Sequence, residues 1–437
     1  MAHQIDPYLT EADIVVLQNL LQDSDRDIQS HWKSPNGIPT PEAIDKMTEA
    51  EQTNLLDHDK EAINRLKALN DPTSPSFQPT IFVSWDEKDI PQWVNRIILR
   101  PYASWASQIV RHPTDVVFFT HILIYLFVIL PSALYLFYHF TYLHGILHAA
   151  FTFWCAGSYT LMLHNHIHNN GVLSKQWYWL DWTFPYLTEP LMGHTWDSYY
   201  YHHVKHHHVE ANGPDDLSST IRYQRDEPLH FCHYLGRFFF FVWFELPLYF
   251  FRKGKIGLAV RSALSETFSM AFLSYMTARV NTRASIFVLI IPFLLLRIGL
   301  MVGNWGQHAL VDEVEPDSDF RTSITLVDVP SNRFCFNDGY HTAHHLNPRR
   351  HWREQPVHFL QSKEAYRQGR ALVFHNIDYL MMTLKLLQKD YGYLADRLVP
   401  MGEQVGMSRA ELAEMLRRKT RAFTEGEIER KFRGKGK

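Results

Sequence analysis

The sequence predicts an all-α integral membrane protein: about four transmembrane helices in two hairpins, with a cytosolic helical cap carrying a histidine-rich metal site. Three observations predict it. No Asp, Glu, Lys or Arg occurs from Val116 through Ser174, a gap that holds two spans of about 20 residues across a hydrocarbon core of roughly 30 Å. Two more apolar stretches, residues 263–280 and 284–303, follow on either side of a polar turn at 281–283. Histidines are almost as common as phenylalanines, 26 against 29 in 437 residues, and they gather in short clusters at the ends of these stretches.

The mean hydropathy of −0.24 looks polar for a membrane protein, but it averages in a polar N-terminal extension and a charged C-terminus. The net charge of −3 gives no electrostatic case for nucleic-acid binding. Cys155, Cys232 and Cys335 are odd in number and unpatterned, so they predict neither a CxxC zinc site nor a disulfide framework. The N-terminus lacks a basic segment followed by an apolar one, so no cleavable signal peptide is expected and the first ~110 residues are read as cytosolic.

Residues 1–80 form an acidic extension, with Asp23, Asp25 and Asp27 close together and prolines from Pro35 to Pro79. Residues 11–21 and 49–69 have helical periodicity and suggest a regulatory or packing role. Residues 81–360 are read as the membrane-embedded catalytic domain. Trp85, Trp93, Tyr102 and Trp105 resemble an interfacial aromatic belt ahead of the bilayer. The first span is expected at 116–137, interrupted by Pro131, and the second at 143–163, turning at 140–142. Residues 177–186 are expected to lie on the headgroups. Residues 263–280 and 284–303 make the second hairpin, and 238–251, followed by Arg252, Lys253 and Lys255, lies in the interfacial plane. Glu266 and Arg297 inside the second hairpin count against that assignment. Residues 361–437 are read as a C-terminal cap, with an amphipathic helix at 371–387 and a basic tail, Lys431 to Lys437, suited to anionic headgroups. All histidine clusters then fall on one face of the membrane.

The clusters are His164-Asn-His166-Ile-His168, His202-His203-Val-Lys-His206-His207-His208, His308 in Asn304-Trp-Gly-Gln-His308, and His341-Thr-Ala-His344-His345. Residues three or four apart on a helix lie one above the other, close enough to share an ion, and imidazole suits Zn, Cu, Fe and Ni. His164 and His168 share a face that His166 does not. The second cluster allows His202 with His206, His203 with His207, or a frame of His203, His206 and His207. His341, His344 and His345 give the i, i+3, i+4 triplet of one helical turn. Several such clusters point to a site for more than one ion. The isolated His121, His139, His144, His148, His230, His233, His351, His358 and His375 are read as hydrogen-bonded polar residues.

In these motifs the chain resembles the membrane-bound histidine-box diiron enzymes, which include acyl-lipid and sphingolipid desaturases and alkane hydroxylases. The H-x3-H, H-x3-HH and H-x2-HH boxes match His164/His168, His203/His207/His208 and His341/His344/His345, and an Asn-x3-His element matches Asn304 and His308. His207-His208-Val-Glu-Ala-Asn212 is similar to the HHxxxN of desaturases, which selects the His203/His207/His208 frame. Asn337-Asp-Gly339-Tyr340 resembles sphingolipid-type desaturases, and His344-His345-Leu-Asn347-Pro348 the alkane hydroxylases. The resemblance covers about residues 110–360. It implies two non-haem irons on nine histidines, with Asn304 contacting metal through water. It also implies O2-dependent removal of hydrogen from an unactivated C–H bond of a fatty-acyl or lipid chain. The chain offers no carboxylate at matching helical positions in the boxes. Asp197, Glu210, Asp215, Asp216, Asp312 and Asp338 are the carboxylates near enough to orient the rings from behind.

The resemblance further implies an external electron donor of cytochrome b5, ferredoxin or rubredoxin type, because the chain has no His-Pro-Gly-Gly haem element and no CxxC pair. In a eukaryote the membrane would be the endoplasmic reticulum. The expected reaction is acyl desaturation, with hydroxylation (a monooxygenase outcome) on the same scaffold as the alternative. A membrane zinc hydrolase would want three ligands and an open fourth position, fewer than these boxes supply. A metal transporter would place ligands within the spans.

Overall fold

The long apolar runs fold as long helices, and the first two meet at an uncharged turn around Thr141. In the computed structural model, which describes residues 6, 8–32, 49–86 and 89–433, the first two runs become α3 (Val116–Tyr138) and α4 (Tyr142–Asn169). They follow the N-terminal helices α1 (Glu11–Trp32) and α2 (Glu49–Asn70). Downstream lie α5 (Tyr178–Thr188), α6 (Pro228–Arg252), α7 (Ile256–Tyr275) and α8 (Thr282–Gln307).

Pro131 does not interrupt α3. The helix widens to π geometry over Tyr125–Ile129 just before it, and α8 does the same over Ile286–Ile290 ahead of Pro292. Proline lacks the N–H and its ring crowds the carbonyl four residues back. Local π winding accommodates both defects. Thr141 caps α4 by accepting from the His144 amide, and Asn281 caps α8 by accepting from Ala284.

By length and composition, α3, α4, α6 and α8 could each cross a membrane. This differs from expectation in the second half of the chain. The run at 238–251 belongs to a helix that begins ten residues earlier, at Pro228, whereas 263–280 sits in a helix carrying Arg261, Glu266 and Arg279. A turn at 253–255 joins α6 to α7, and Val242, Leu246, Tyr249 and Phe250 pack with Ala259. Both ends of α6 reach groups near the histidine clusters. Tyr234 bonds Asn304 and the Ser218 carbonyl, while Tyr249 donates to Glu210 and Lys253 pairs with Asp215.

The cap is not purely helical. Strand β1 (Ile324–Val327) pairs in parallel with β2 (Leu372–His375), with Ile324 opposite Leu372 and Val327 opposite His375. The helix expected at 371–387 therefore starts only at Tyr379. A short run of buried apolar residues reads the same as helix or strand by periodicity, and its non-local partner decides. The N-terminal helices pack on this cap: Val15, Val16, Leu20, Ala62 and Leu66 meet Tyr340, Ala343 and Val373. Lys363 Nζ donates to Asn19, Asp23 and Asp59 and ties the two regions together. The side chains of Asp25 and Asp27, the prolines Pro35, Pro39 and Pro41, and the tail beyond Arg433 lie outside the described residues.

One buried cation organises the loop behind the second cluster. Arg225 donates to the carbonyls of Thr220, Ile221, Tyr223, Ala309, Lys419 and Arg421 and is wholly buried. Buried carbonyls left without donors cost about 1–3 kcal/mol each. Arg225→Met should therefore destabilise the fold by at least about 3 kcal/mol, read as a lower apparent melting temperature in detergent. Retention of the wild-type melting temperature would show that the loop holds without it.

Candidate metal centre

Box one is the last turn of α4, where Asn170 adopts a left-handed conformation and ends the helix. The next residue, Gly171, has φ +113°, and a Cβ there would fall 1.9 Å from the Asp181 carboxylate. Asp181 accepts from the Val172 and Leu173 amides and faces His166 at 3.2 Å. His166 thus points away from the cluster, as its spacing predicts.

Box two lies on a π-helical segment, Tyr200–His207, and this changes which histidines meet. In an i→i+5 helix, residues five apart come together. His203 Nε2 sits 3.1 Å from His208 Nε2, while His207 diverges into a different group. Box three is the six-residue helix His341–Leu346. It is held by Gly339, where a Cβ would meet Asn332 Oδ1 at 2.3 Å and the Leu326 carbonyl at 2.6 Å. The Gly339 amide donates to Asn332, and its carbonyl accepts from Leu326 on β1. The glycine of the Asn-Asp-Gly-Tyr motif is therefore a steric requirement.

All nine histidines of the expected set converge, in two groups. One contains His164, His168, His203, His208 and His344, the other His207, His308, His341 and His345. Within each, the candidate ligand atoms all lie within 4.8 Å of one another. The triplet of box three does not serve one ion. His341 and His345 share the four-histidine group and His344 enters the other, because a one-residue step turns the ring to another face. His203 and His207 are likewise separated.

The donor set fits metal ions. Four Nε2 atoms close a ring, His164 to His344 at 3.1 Å, His344 to His208 at 2.8 Å, His208 to His203 at 3.1 Å and His203 to His164 at 2.8 Å. Imidazoles bound at about 2.1 Å to one ion would have neighbouring nitrogens about 3 Å apart. His168 Nε2 is buried with no hydrogen-bond partner. In the second group, His308 Nδ1 lies 2.8 Å from the Thr322 carbonyl. A carbonyl only accepts, so Nδ1 holds the proton and Nε2 presents a lone pair, 3.1 Å from His341 Nε2. His207 Nδ1 contacts Asp216 at 2.7 Å and is fixed in the same sense.

Burial, reinforced by neighbouring imidazoles, holds His203, His208, His341, His344 and His345 well below the usual histidine range, and lowers His308 to about 3. The rings are neutral at pH 7, as ligation requires. Burial alone would raise the Asp216 carboxyl, but His207 and His206 outweigh it and hold it well below the carboxylate range.

Of the six carboxylates expected behind the rings, Asp216 alone contacts a histidine of the nine among the described residues. Glu210 and Asp215 bond Tyr249 and Lys253, Asp312 pairs with Lys419, Asp338 accepts from Gln307, and Asp197 accepts from Tyr186. The Thr322 carbonyl has no sequence signal, since any residue type offers it. His202, His206 and Asp216 form a third group. His206 Nε2 accepts from the Leu217 amide, which places its proton on Nδ1 and leaves no lone pair there for an ion. Asn304 donates to the Ser218 carbonyl and Tyr234 and belongs to neither group. Most isolated histidines behave as read: His121 meets Tyr125, His144 and His148 meet Ser132, and His351 meets Asp115.

A cavity of about 390 Å³ opens beside both groups and runs between α4, α6 and α8. His164, His203, His207 and His341 line one part of it, and Phe153, Leu246 and Leu295 line apolar walls.

No curated protein and no solved structure matches the chain. A family model described as fatty acid desaturase matches residues 140–376, more than half the chain and a span holding all nine converging histidines. The chain belongs to the fatty acid desaturase family, a family of oxidoreductases.

Proposed function

We propose that this protein is a membrane fatty-acyl or lipid desaturase that uses O2 and two irons held by His164, His168, His203, His208 and His344 and by His207, His308, His341 and His345. The observation that carries the reading is the division of nine histidines into two groups at the end of one apolar cavity. Bound iron would supply O2 activation. The chain's own residues do the rest: cavity walls exclude water and align methylenes against the histidines, while Asp216 and the Thr322 carbonyl orient His207 and His308. The free amide oxygen of Asn304 would accept from a metal-bound water. Two hydrogens leave the acyl chain and, with two electrons from a cytochrome b5, ferredoxin or rubredoxin type donor and two protons from solvent, reduce O2 to two waters.

Hydroxylation is the second reading, favoured by the Asn347-Pro348 that follows box three. It inserts one oxygen atom and releases one water from the same ligand set. A barrier difference of about 1.4 kcal/mol would shift the product ratio tenfold. A zinc hydrolase is the less favoured third reading.

The proposed division is an N-terminal extension (1–80), a membrane-embedded catalytic domain (81–360) and a C-terminal cap (361–437). Four crossings in two hairpins, α3 with α4 and α7 with α8, place all the histidine clusters on the cytosolic face, in the endoplasmic reticulum if the cell is eukaryotic. Helix α6 then lies along the interface. Support comes from its contacts beside the clusters at both ends, a layout that a crossing of about 37 Å would not allow.

Iron in the detergent-purified full-length protein should approach two per chain, with His203→Ala and His345→Ala each lowering it and abolishing product. Lipid profiles of expressing cells should show loss of two hydrogens, or gain of one oxygen if hydroxylation wins. Zinc instead of iron would sink the reading. Asp216→Asn should weaken metal retention about 10- to 100-fold with little change in secondary structure; unchanged retention would remove Asp216 from the site. In a Cys232→Ser background, cysteines placed at Leu229 and Phe251, both exposed, should react with an impermeant thiol reagent from the same side of sealed vesicles. Labelling from opposite sides would make α6 a crossing.

A further inference from the structure

We propose that Arg297 and Glu266 read a hydroxyl group carried partway along the acyl chain, so that the cavity selects a hydroxylated acyl substrate and fixes which carbons meet the histidines. This rests on the desaturase reading above and adds the substrate class.

The cavity that touches the histidine groups is also lined by Thr195, Glu266 and Arg297. Arg297 stands ten residues before the end of α8, about 15 Å along the axis, and seven before Asn304, about 10 Å. An ion pair there is out of place in a pocket meant only for methylenes. Ionisable residues within spans mark substrate pathways by default.

The pairing is incomplete in a specific way. Arg297 Nη2 donates to both Glu266 oxygens at 3.2 Å. Its Nε and Nη1, which carry three N–H groups, donate to no protein group among the described residues. The Phe293 ring covers the guanidinium face at 4.5 Å, leaving the edge as the means of contact. Glu266 Oε1 also accepts from Thr195 Oγ1 at 2.9 Å, whereas Oε2 accepts from Arg297 alone. A tie between two helices would use the bidentate fork. Here a free donor edge stands beside an acceptor oxygen that takes only one hydrogen bond and keeps a second lone pair.

That combination complements a hydroxyl, which accepts from Arg297 while donating to Glu266. A carbonyl satisfies only the donors. A carboxylate would add an uncompensated charge to a pair already neutral. An unsubstituted chain leaves the donors unpaired in a dry cavity.

The test uses full-length protein in nanodiscs and a series of octadecanoyl methyl esters, unsubstituted or with one hydroxyl at successive positions. Each ester competes against tritiated unsubstituted ester, and each is then offered for turnover with a reductant. Wild-type binding should peak at one or two adjacent hydroxyl positions, at least about tenfold tighter than the unsubstituted ester. Arg297→Met should flatten the profile while binding the unsubstituted ester within about threefold of wild type. The Glu266→Gln, Arg297→Met double variant, which leaves no orphaned charge, should be equally flat and serves if the single variant does not fold. A flat wild-type profile, or a peak that survives in the variants, overturns the proposal. Product from the unsubstituted ester together with a flat profile would overturn this inference and keep the desaturase reading. A positional peak with no product from any ester would support the hydroxyl site and overturn the desaturase reading.

Discussion

The rest of the structure depends on bringing nine imidazole nitrogens to two points. A lone pair aimed at another lone pair across about 3 Å is unfavourable, and burying unpaired polar atoms costs further. The chain meets that cost with rigid supports. Box one ends a long helix, box two sits on a π segment, and box three hangs from a parallel strand pair through Gly339. His308 and His207 are held from behind by Thr322 and Asp216.

The histidines were legible in the sequence because spacing is a one-dimensional property. Their partition was not. An α-helical reading puts His203 with His207 on one face, but π winding over Tyr200–His207 puts His203 with His208 instead. Nothing in the composition of that segment signals the change. The strand pair was missed for a related reason: Leu372–His375 becomes a strand only through Ile324–Val327, nearly fifty residues away. Arg225 escaped notice because its six acceptors are backbone carbonyls, which have no residue identity.

For the membrane arrangement, composition and contacts point in different directions. Helix α6 is long and apolar enough to cross, and α7 carries charges that weaken its case. Yet α6 touches Asn304 near its start and Glu210 near its end, both beside the clusters. Helix α7 leads from that level to Asn281, which caps the far end of α8. Glu266 and Arg297, which count against α7 and α8 as spans, pair with each other between those helices.

This pairing also bears on how one ligand set could give a defined product. Histidines at the end of an apolar cavity present the same chemistry to every methylene that reaches them. Regiochemistry must then come from whatever fixes the chain along its axis, and apolar walls resist sliding only weakly because neighbouring methylenes are alike. A substrate hydroxyl held between Arg297 and Glu266, as proposed, would break that equivalence: moving the chain by one carbon would break two hydrogen bonds at once. On the desaturase reading, selection of the carbon is a matter of α7 and α8 rather than of the histidines, and it could be changed at Arg297 and Glu266 without disturbing either metal group.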